Sequence, residues 1–298
     1  MKVFEFNEQN VDNAPTILVL GYFDGLHRGH QTLFDKARDL AEEKKATISV
    51  LTFPESPILV FEKFNENLLK QLTSKEKRNQ LFEENGVDFL YFTDFTSHFA
   101  KLTSHDFIEK YLKKLAISAI VIGFDYQFGS DHGSLAQLSE YDAYQVSELT
   151  DMGEKISSSR IRQAIVDGDV TLANRLLGYD YEISGLVVHG EARGRTIGYP
   201  TANIESKSMQ YLPLIGVYVV DIAVGDKQYR GMASIGYNDT FGGKNKTLEV
   251  NIFDFHDEIY GETVTVYFLK FIRGMIKFDS VDALITQMDD DEKIARDF

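Results

Sequence analysis

Two kinds of hydrophobic pattern divide the chain. In its first half, unbroken apolar runs alternate with amphipathic stretches. Thr16 to Gly21 (TILVLG), Thr47 to Phe53 (TISVLTF), Phe89 to Phe92 and Ala119 to Gly123 (AIVIG) read as buried strands. Between them, His30 to Lys44 places Leu33, Phe34, Ala37 and Leu40 at helical spacing, and Ser74 to Glu84 and His105 to Leu115 are further helical stretches. Strands that are apolar throughout, separated by helices, predict an α/β domain with a parallel sheet covered on both faces. Ligands bind such sheets beyond the carboxyl ends of the strands, so the turn after Gly21 is the first place to look for chemistry.

From Tyr181 onward the apolar runs become short and closely spaced: ISGLVV, GVYVVDIAV, QYRGMASIG, TLEVNIFDF and TVTVYFL. Glycines and polar turns separate them, which predicts an antiparallel β-barrel or sandwich. Helical spacing returns from Ser280 to Arg296 through Val281, Leu284, Ile285 and Met288. The boundary falls near Gly178 to Gly185, giving domains 1–180 and 181–298. A chain of 298 residues fits two domains.

Composition narrows the class. The hydrophobic share is 43% and the charged share 26%, as in a globular protein. The longest apolar stretches, such as Ile215 to Val220, are far short of the ~20 residues of a membrane helix. MKVFEFNEQN lacks a basic region followed by an apolar core, so no secretory signal is read there. Without cysteine there is no disulfide, thiolate nucleophile or cysteine-ligated metal, and the cytoplasm is the expected location. A net charge of −15 makes nucleic acid an unexpected partner, although a nucleotide needs only a few cations and backbone amides. No membrane partner is expected, and a monomer or weak homo-oligomer is.

The segment LGYFDGLHRGH, Leu20 to His30, holds the first chemistry. A strand ends at Gly21, a turn carries Asp24 and Gly25, and His27 and His30 fall where a helix begins. A helix N-terminus offers unpaired N–H groups and the positive end of a dipole. Two imidazoles one turn apart add charge-assisted donors for a phosphate becoming five-coordinate. Gly29 between them lets that phosphate approach the backbone. An isolated H-x-x-H is more often a solvated surface pair, and a zinc site would need a third ligand, which is not apparent nearby. Further on, ISSSRIR (Ile156 to Arg162) opens another helix, where Ser158 and Ser159 can cap or donate to phosphate and Arg160 and Arg162 can clamp anionic oxygens. GFDYQFG (Gly123 to Gly129) is either a plain strand-end turn or a wall of a ligand pocket, through Asp125 and Phe128.

H-x-G-H after a buried strand resembles the nucleotidyltransferase superfamily. The ordered set YFDGLHRGH, GFDYQFG, ISSSRIR is similar to the N-terminal FMN adenylyltransferase module of bacterial bifunctional riboflavin kinase/FAD synthetases. That resemblance implies a Rossmann-like domain in which His27 and His30 are catalytic. It also implies that Gly21, Phe23, Asp24, Gly29, Ser158, Ser159, Arg160 and Arg162 bind ATP.

The second half opens with VVHGEARGRTIGYPTANI, Val187 to Ile204. Gly190, Gly194 and Gly198 give a loop that can fold its amides around phosphates, and Arg193 and Arg195 supply positive charge. Thr201 and Asn203, two residues apart in an extended segment, point to one side and could hold a magnesium ion with the phosphates it bridges. Leu248, Val250 and Ile252 alternate onto one strand face, leaving Glu249 and Asn251 on the other. The joined pattern G-x-x-x-G-R-x-x-G-[FY]-P-T-A-N closely resembles the riboflavin kinase signature, and SIGYNDTF, IYGE and IRGMIKFDS follow in family order. The resemblance implies a Greek-key barrel with a terminal helix, ATP and Mg²⁺ at Thr201 and Asn203, and Glu249 as the base for the ribityl 5′-hydroxyl. The flavin is expected between barrel and terminal helix, near Arg273 and Phe278.

Departures from the family pattern cluster in the first half. Ser56 replaces a histidine, Gln127 an arginine, and the loop between Gly129 and Gly133 is one residue short and without its basic residues. Ser159 stands for threonine and keeps the hydroxyl. In the second half Ala192, Asp239 and Met275 replace a glycine, a proline and a glutamate. The expected function is bifunctional: riboflavin and ATP give FMN, and FMN and ATP give FAD and pyrophosphate, both with Mg²⁺. A kinase-only enzyme and a non-catalytic flavin- or nucleotide-binding regulator are the alternatives.

Overall fold

The computed structural model describes all residues except 7–10, 191–192, 207 and 238–245, and it leaves out the side chains of Arg193 and Arg195. The end of SIGYNDTF, with Asp239, and the Ala192 substitution therefore lie outside the described residues. The chain forms two compact units, Met1–Lys70 with Lys75–Ser157, and Gln71–Ser74 with Ser158–Phe298.

The first unit is built on β1 (Lys2–Glu5), β2 (Thr16–Leu20), α1 (Arg28–Lys44), β3 (Thr47–Thr52), α2 (Lys75–Glu84), β4 (Phe89–Phe92), α3 (Ser104–Lys110), β5 (Ile117–Gly123) and β6 (Ala143–Val146). A small hairpin, β7 (Thr150–Asp151) and β8 (Glu154–Lys155), closes it. The sheet order is β1-β4-β3-β2-β5-β6 and every pairing is parallel. The chain moves outward from β2 through β3 to β4, then returns to β5 on the other side. That reversal makes a topological switch point between β2 and β5, where such sheets bind ligands. All five residues of β2 are buried. Helix α1 packs its Leu33, Phe34, Ala37 and Leu40 inward, as their spacing predicted. The opposite side holds Tyr91, Phe107, Leu112, Ile120 and Phe128 in one apolar cluster.

Sequence pattern anticipated the four inner strands and missed the two edges. β1 and β6 are half exposed, so neither carries an unbroken apolar run. The helix expected over His105 to Leu115 ends at Lys110, and a 3₁₀ turn follows at Leu112–Lys114.

The second unit contains α4 (Ser158–Val166), α5 (Val170–Leu177), β9 (Tyr181–Val188), α6 (Arg193–Thr196), β10 (Ala202–Ser206), β11 (Gly216–Val224), β12 (Lys227–Tyr237), β13 (Lys246–Ile252), β14 (Thr263–Arg273) and α7 (Val281–Asp297). Its strands close in the order β10-β13-β12-β11-β14-β9, so no edge is left open. β11, β12 and β13 are neighbours and β14 returns beside β11, the Greek-key order. Tyr181, Ile183 and Val187 alternate into the interior. Asn174 of α5 fastens that helix to the barrel, donating to Phe268 O at 2.8 Å and accepting from Tyr181 N at 2.8 Å. Helix α7, capped by Ser280, packs on β11 and β12.

Candidate active sites

Beyond β2 the backbone turns sharply: Phe23 (φ 59°), Gly25 (77°) and Leu26 (39°) are all left-handed. A non-glycine residue held there costs on the order of 1–3 kcal/mol, so its surroundings must hold it. Phe23 is buried against Gly21, Phe34 and Phe82. Asp24 is buried within the same turn. His27 then caps α1, its Nδ1 accepting from His30 N at 3.3 Å, which leaves the proton of neutral His27 on Nε2.

The His27 and His30 rings stack at 3.7 Å and 14°. Gly29 permits this closeness, since a Cβ there would lie 3.2 Å from the His27 ring. Phe23 meets His30 edge-on at 5.2 Å. His30 keeps some accessible surface, but its Nδ1 is buried without a hydrogen-bond partner among the described residues. Burial, then the charges of His27, Arg78 and Lys155, hold its pKa well below the ordinary histidine range. Burial and these charges disfavour the imidazolium that a charge-assisted donor requires. An arriving phosphate favours the imidazolium and would raise that pKa.

Asp125, just past β5, pairs with Lys155 at 2.6 Å, and Lys155 also lies 4.3 Å from the Phe124 ring centroid. Phe128 is a core residue, packed against Phe107 and Tyr126, and does not present its ring to solvent. The loop between Gly129 and Gly133 is tied down. Asp131 accepts from Ser104 N at 2.6 Å and Ser104 Oγ at 2.8 Å, and those bonds hold its carboxyl below the usual range. Ser158, Ser159, Arg160 and Arg162 lie in the first turns of α4 in the other compact unit, where Ile161, Ala164 and Ile165 are buried.

In the barrel, register does the assembling. β10 pairs with β13 so that Asn203 stands opposite Glu249, while Ile204 and Leu248 stand opposite each other and are buried. Thr201 Oγ1 donates to Glu249 Oε2 at 3.2 Å. A hydroxyl, an amide and a carboxylate are thereby grouped on one face. Gly190 is pressed against Asn203: a Cβ on it would fall 2.2 Å from Nδ2. Gly194 lies in the single turn α6, its carbonyl accepting from Ile197 N and Tyr199 N. Arg193 and Arg195 belong to that turn as well.

Three supports of this cluster escaped the sequence reading. Asn251, buried, donates to Pro200 O at 2.7 Å and so holds the strand entry before Thr201. Tyr199 is buried among Val219, Met232, Phe253 and Ala295, and its phenol donates to Asp289 of α7. Burial, reinforced by Asp289, pushes that phenol's pKa up. A cavity of about 360 Å³ adjoins Thr201, lined also by Val250, Phe255, Asp257, Glu258 and Tyr260. Its size suits a small organic ligand. TLEVNIFDF and IYGE had marked Phe255, Ile259 and Tyr260 of this lining, but Asp257 and Glu258 belong to no motif.

Arg273 makes bonds that no sequence motif indicated. Its Nε and Nη2 donate to Asp291, which is 1% exposed, and Nη1 donates to Gly274 O. The Phe278 ring centroid lies 5.8 Å from the guanidinium. In the first unit the overlooked residue is Arg78. It is 3% exposed and donates to Phe53 O at 2.9 Å, Thr52 Oγ1 at 2.9 Å and Tyr22 O. Its helical spacing to Leu81 and Phe82 put it on the apolar face, which was the available signal.

A parallel sheet with paired histidines at its switch point, in one chain with a closed barrel carrying a hydroxyl–amide–carboxylate cluster, defines a two-part nucleotide-dependent transferase. Comparison with known proteins gives the family. Residues 9–160 match the FAD synthetase family and residues 177–298 the riboflavin kinase family. A bifunctional riboflavin kinase/FMN adenylyltransferase of Listeria monocytogenes is 40% identical, covering 95% of this chain and 92% of its own. The protein of that description from Bacillus subtilis is 39% identical with the same coverage. A solved structure described as a macrolide-efflux protein from Streptococcus pneumoniae is 44% identical, with a TM-score of 0.95 and 99% of each chain covered. Among the described residues of this chain, no helix is long and apolar enough to cross a membrane. The chain belongs to the bifunctional riboflavin kinase/FMN adenylyltransferase family.

Proposed function

We propose that riboflavin is phosphorylated at the Thr201–Asn203–Glu249 cluster and that FMN is adenylylated at the His27–His30 turn. By family the chain is a bifunctional riboflavin kinase and FMN adenylyltransferase; the assignment of each step to residues is our reading. The observation that carries it is the Glu249 carboxylate, held 3.2 Å from the Thr201 hydroxyl and opposite Asn203.

In the kinase step, Glu249 takes the proton of the ribityl 5′-hydroxyl as that oxygen attacks the γ-phosphorus of ATP. The bond to the γ-phosphorus forms as its bond to the ADP oxygen breaks. Thr201 directs its own proton at Glu249 and keeps its lone pairs for a cation. Hydroxyl, amide and carboxylate oxygens are the hard donors Mg²⁺ takes, so these residues fit that ion. No cluster of three or more His, Cys, Asp or Glu able to hold a metal occurs among the described residues, so Mg²⁺ would arrive with the nucleotide's phosphates. Bound there, Mg²⁺ would neutralise phosphate charge. Arg193 and Arg195, with the amides around Gly190 and Gly194, hold the phosphates.

In the adenylyl step a phosphate oxygen of FMN attacks the α-phosphorus of ATP, and pyrophosphate leaves. His27 donates from Nε2, His30 gains charge as the phosphate arrives, and the amides at the start of α1 complete the anion site. Gly21, Phe23, Asp24 and Gly29 shape that site, and the family motif makes Ser158, Ser159, Arg160 and Arg162 ATP-binding residues of the second unit. Asp125 acts on the flavin side of this step, and Phe128, buried in the core, backs that wall. For the kinase step, Arg273 and Phe278 frame the flavin, Arg273 through its hold on α7. We keep 1–180 and 181–298 as the working domains, the cytoplasm as the location and a monomer or weak homo-oligomer as the state.

The test is to incubate the protein with riboflavin, ATP and Mg²⁺ and to resolve riboflavin, FMN and FAD by chromatography. Both FMN and FAD should form. FMN without FAD would contradict the adenylyl assignment, and no product would contradict both.

A further inference from the structure

We infer that Arg78 is a positioning residue for adenylyl transfer, its guanidinium joining the carboxyl ends of β2 and β3 so that the His27–His30 pair is fixed in place. This rests on the reading of the His27–His30 turn as the adenylyl site.

Helix α2 reads KEKRNQLFEE, and six of its ten residues are charged. A solvated helix would turn its arginine outward, yet Arg78 is almost wholly buried. Its fork is spent on neutral oxygens of two strand ends. Nη1 reaches Phe53 O, directly after β3, while Nη2 reaches Tyr22 O, two residues after β2, and the hydroxyl of Thr52. Thr52 Oγ1 donates to the same Tyr22 oxygen at 3.1 Å. The Tyr22 ring centroid lies 5.0 Å from the guanidinium.

The link from there to the histidines is short. Tyr22 O belongs to the peptide that enters Phe23, which is left-handed and meets His30 edge-on. Displacing that carbonyl shifts Phe23 and, through it, His30. A planar guanidinium spans acceptors on two strands at once, which a single ammonium on a shorter stem cannot reproduce.

The charge also calls for explanation. No carboxylate accepts a hydrogen bond from Arg78 among the described residues, and its Nε is buried without a partner. Asp24 and Glu55 act on it only through space. Stability alone favours an apolar residue over a buried cation without a bonded counter-ion. A site that binds ATP and FMN gains from a fixed positive charge that its anionic ligands cannot displace. The groups whose charges act on His30 are His27, Arg78 and Lys155.

The test measures FAD formation from FMN and ATP in the full-length protein, with FMN formation from riboflavin as the internal control. Arg78→Lys keeps the charge and loses the fork. Its kcat for FAD should fall about tenfold or more with little change in KM, and FMN formation should be unchanged. Arg78→Met should lose more, and the imidazole-governed limb of the pH–rate profile should move to higher pH, because a cation that opposes His30 protonation is gone. Thr52→Val keeps the shape of a buried side chain and should give a smaller fall in the same direction, so it carries the test if Arg78→Met does not fold. His30→Ala separates the two levels of the argument. Full FAD activity in Arg78→Lys alongside a dead His30→Ala would overturn the role of Arg78 and leave the site standing. Full activity in His30→Ala would overturn the site itself. A drop in folded fraction that accounts for all the lost rate in Arg78→Lys and Thr52→Val would also overturn the inference.

Discussion

In the sheet unit the catalytic candidates come from one short stretch, His27 to His30, placed by a turn and a helix start. In the barrel unit Thr201 and Glu249 are 48 residues apart and meet through the pairing of β10 with β13. The first arrangement depends on local backbone geometry: three left-handed residues among the four from Phe23 to Leu26, and an imidazole as N-cap. The second depends on register, since a slip by one residue would turn Glu249 into the interior and Leu248 out of it. An anion site can thus be prepared by a strained turn that stacks two imidazoles or by a strand pair that lines up hard oxygens. The two arrangements should fail differently.

The sharpest way to break the comparison is at Glu249. Glu249→Ala should lower FMN formation by about 10²–10⁴, the typical worth of a general base, while FMN added directly is still converted to FAD. Loss of both activities in a folded variant would show that the clusters are not separate. His27→Ala and His30→Ala should do the reverse, removing most FAD formation and leaving FMN formation at the parental rate. Next comes stability in the barrel unit. Arg273→Met strands the buried Asp291 carboxylate and should cost about 3–5 kcal/mol by denaturant unfolding. Arg273→Met/Asp291→Leu should recover much of that, and a cost equal to the single variant's would mean the pair is not the cause.

The smallest effect concerns the loop between Gly129 and Gly133 of the sheet unit. Asp131 is held below the ordinary carboxylate range by the hydroxyl and amide of Ser104. Its folded pKa lies below the unfolded value of about 3.9, so the contribution is present above that pH and fades as pH falls through the folded pKa. Asp131→Asn should therefore be less stable than the parent near neutrality and should converge with it in acid. Parallel acid unfolding curves would contradict this.

What the sequence revealed follows the same division. Local patterns were legible: the inner strands of the sheet, α1, the H-x-G-H turn and the glycine loop before Thr201. The half-exposed edges β1 and β6 were not, because alternation weakens where only one neighbour strand covers the residues. Arg78 was given no role within the Ser74 to Glu84 helix, although its spacing from Leu81 and Phe82 was the clue. Arg273 was expected beside a flavin; its bonds to Asp291, 18 residues on, depend on how α7 docks, and no local pattern encodes that. The lowered pKa of His30 was also beyond sequence, since burial and then the charges of His27, Arg78 and Lys155 set it.

Mixing two damaged proteins tests the two-site account most directly. Supplied with riboflavin, ATP and Mg²⁺, Glu249→Ala alone should make little FMN or FAD, and His30→Ala alone should stop at FMN. Together they should make FAD at a rate set by the intact site of each partner. A mixture that accumulates FMN and forms no FAD, from two variants shown to be folded, would contradict the assignment of one reaction to each site.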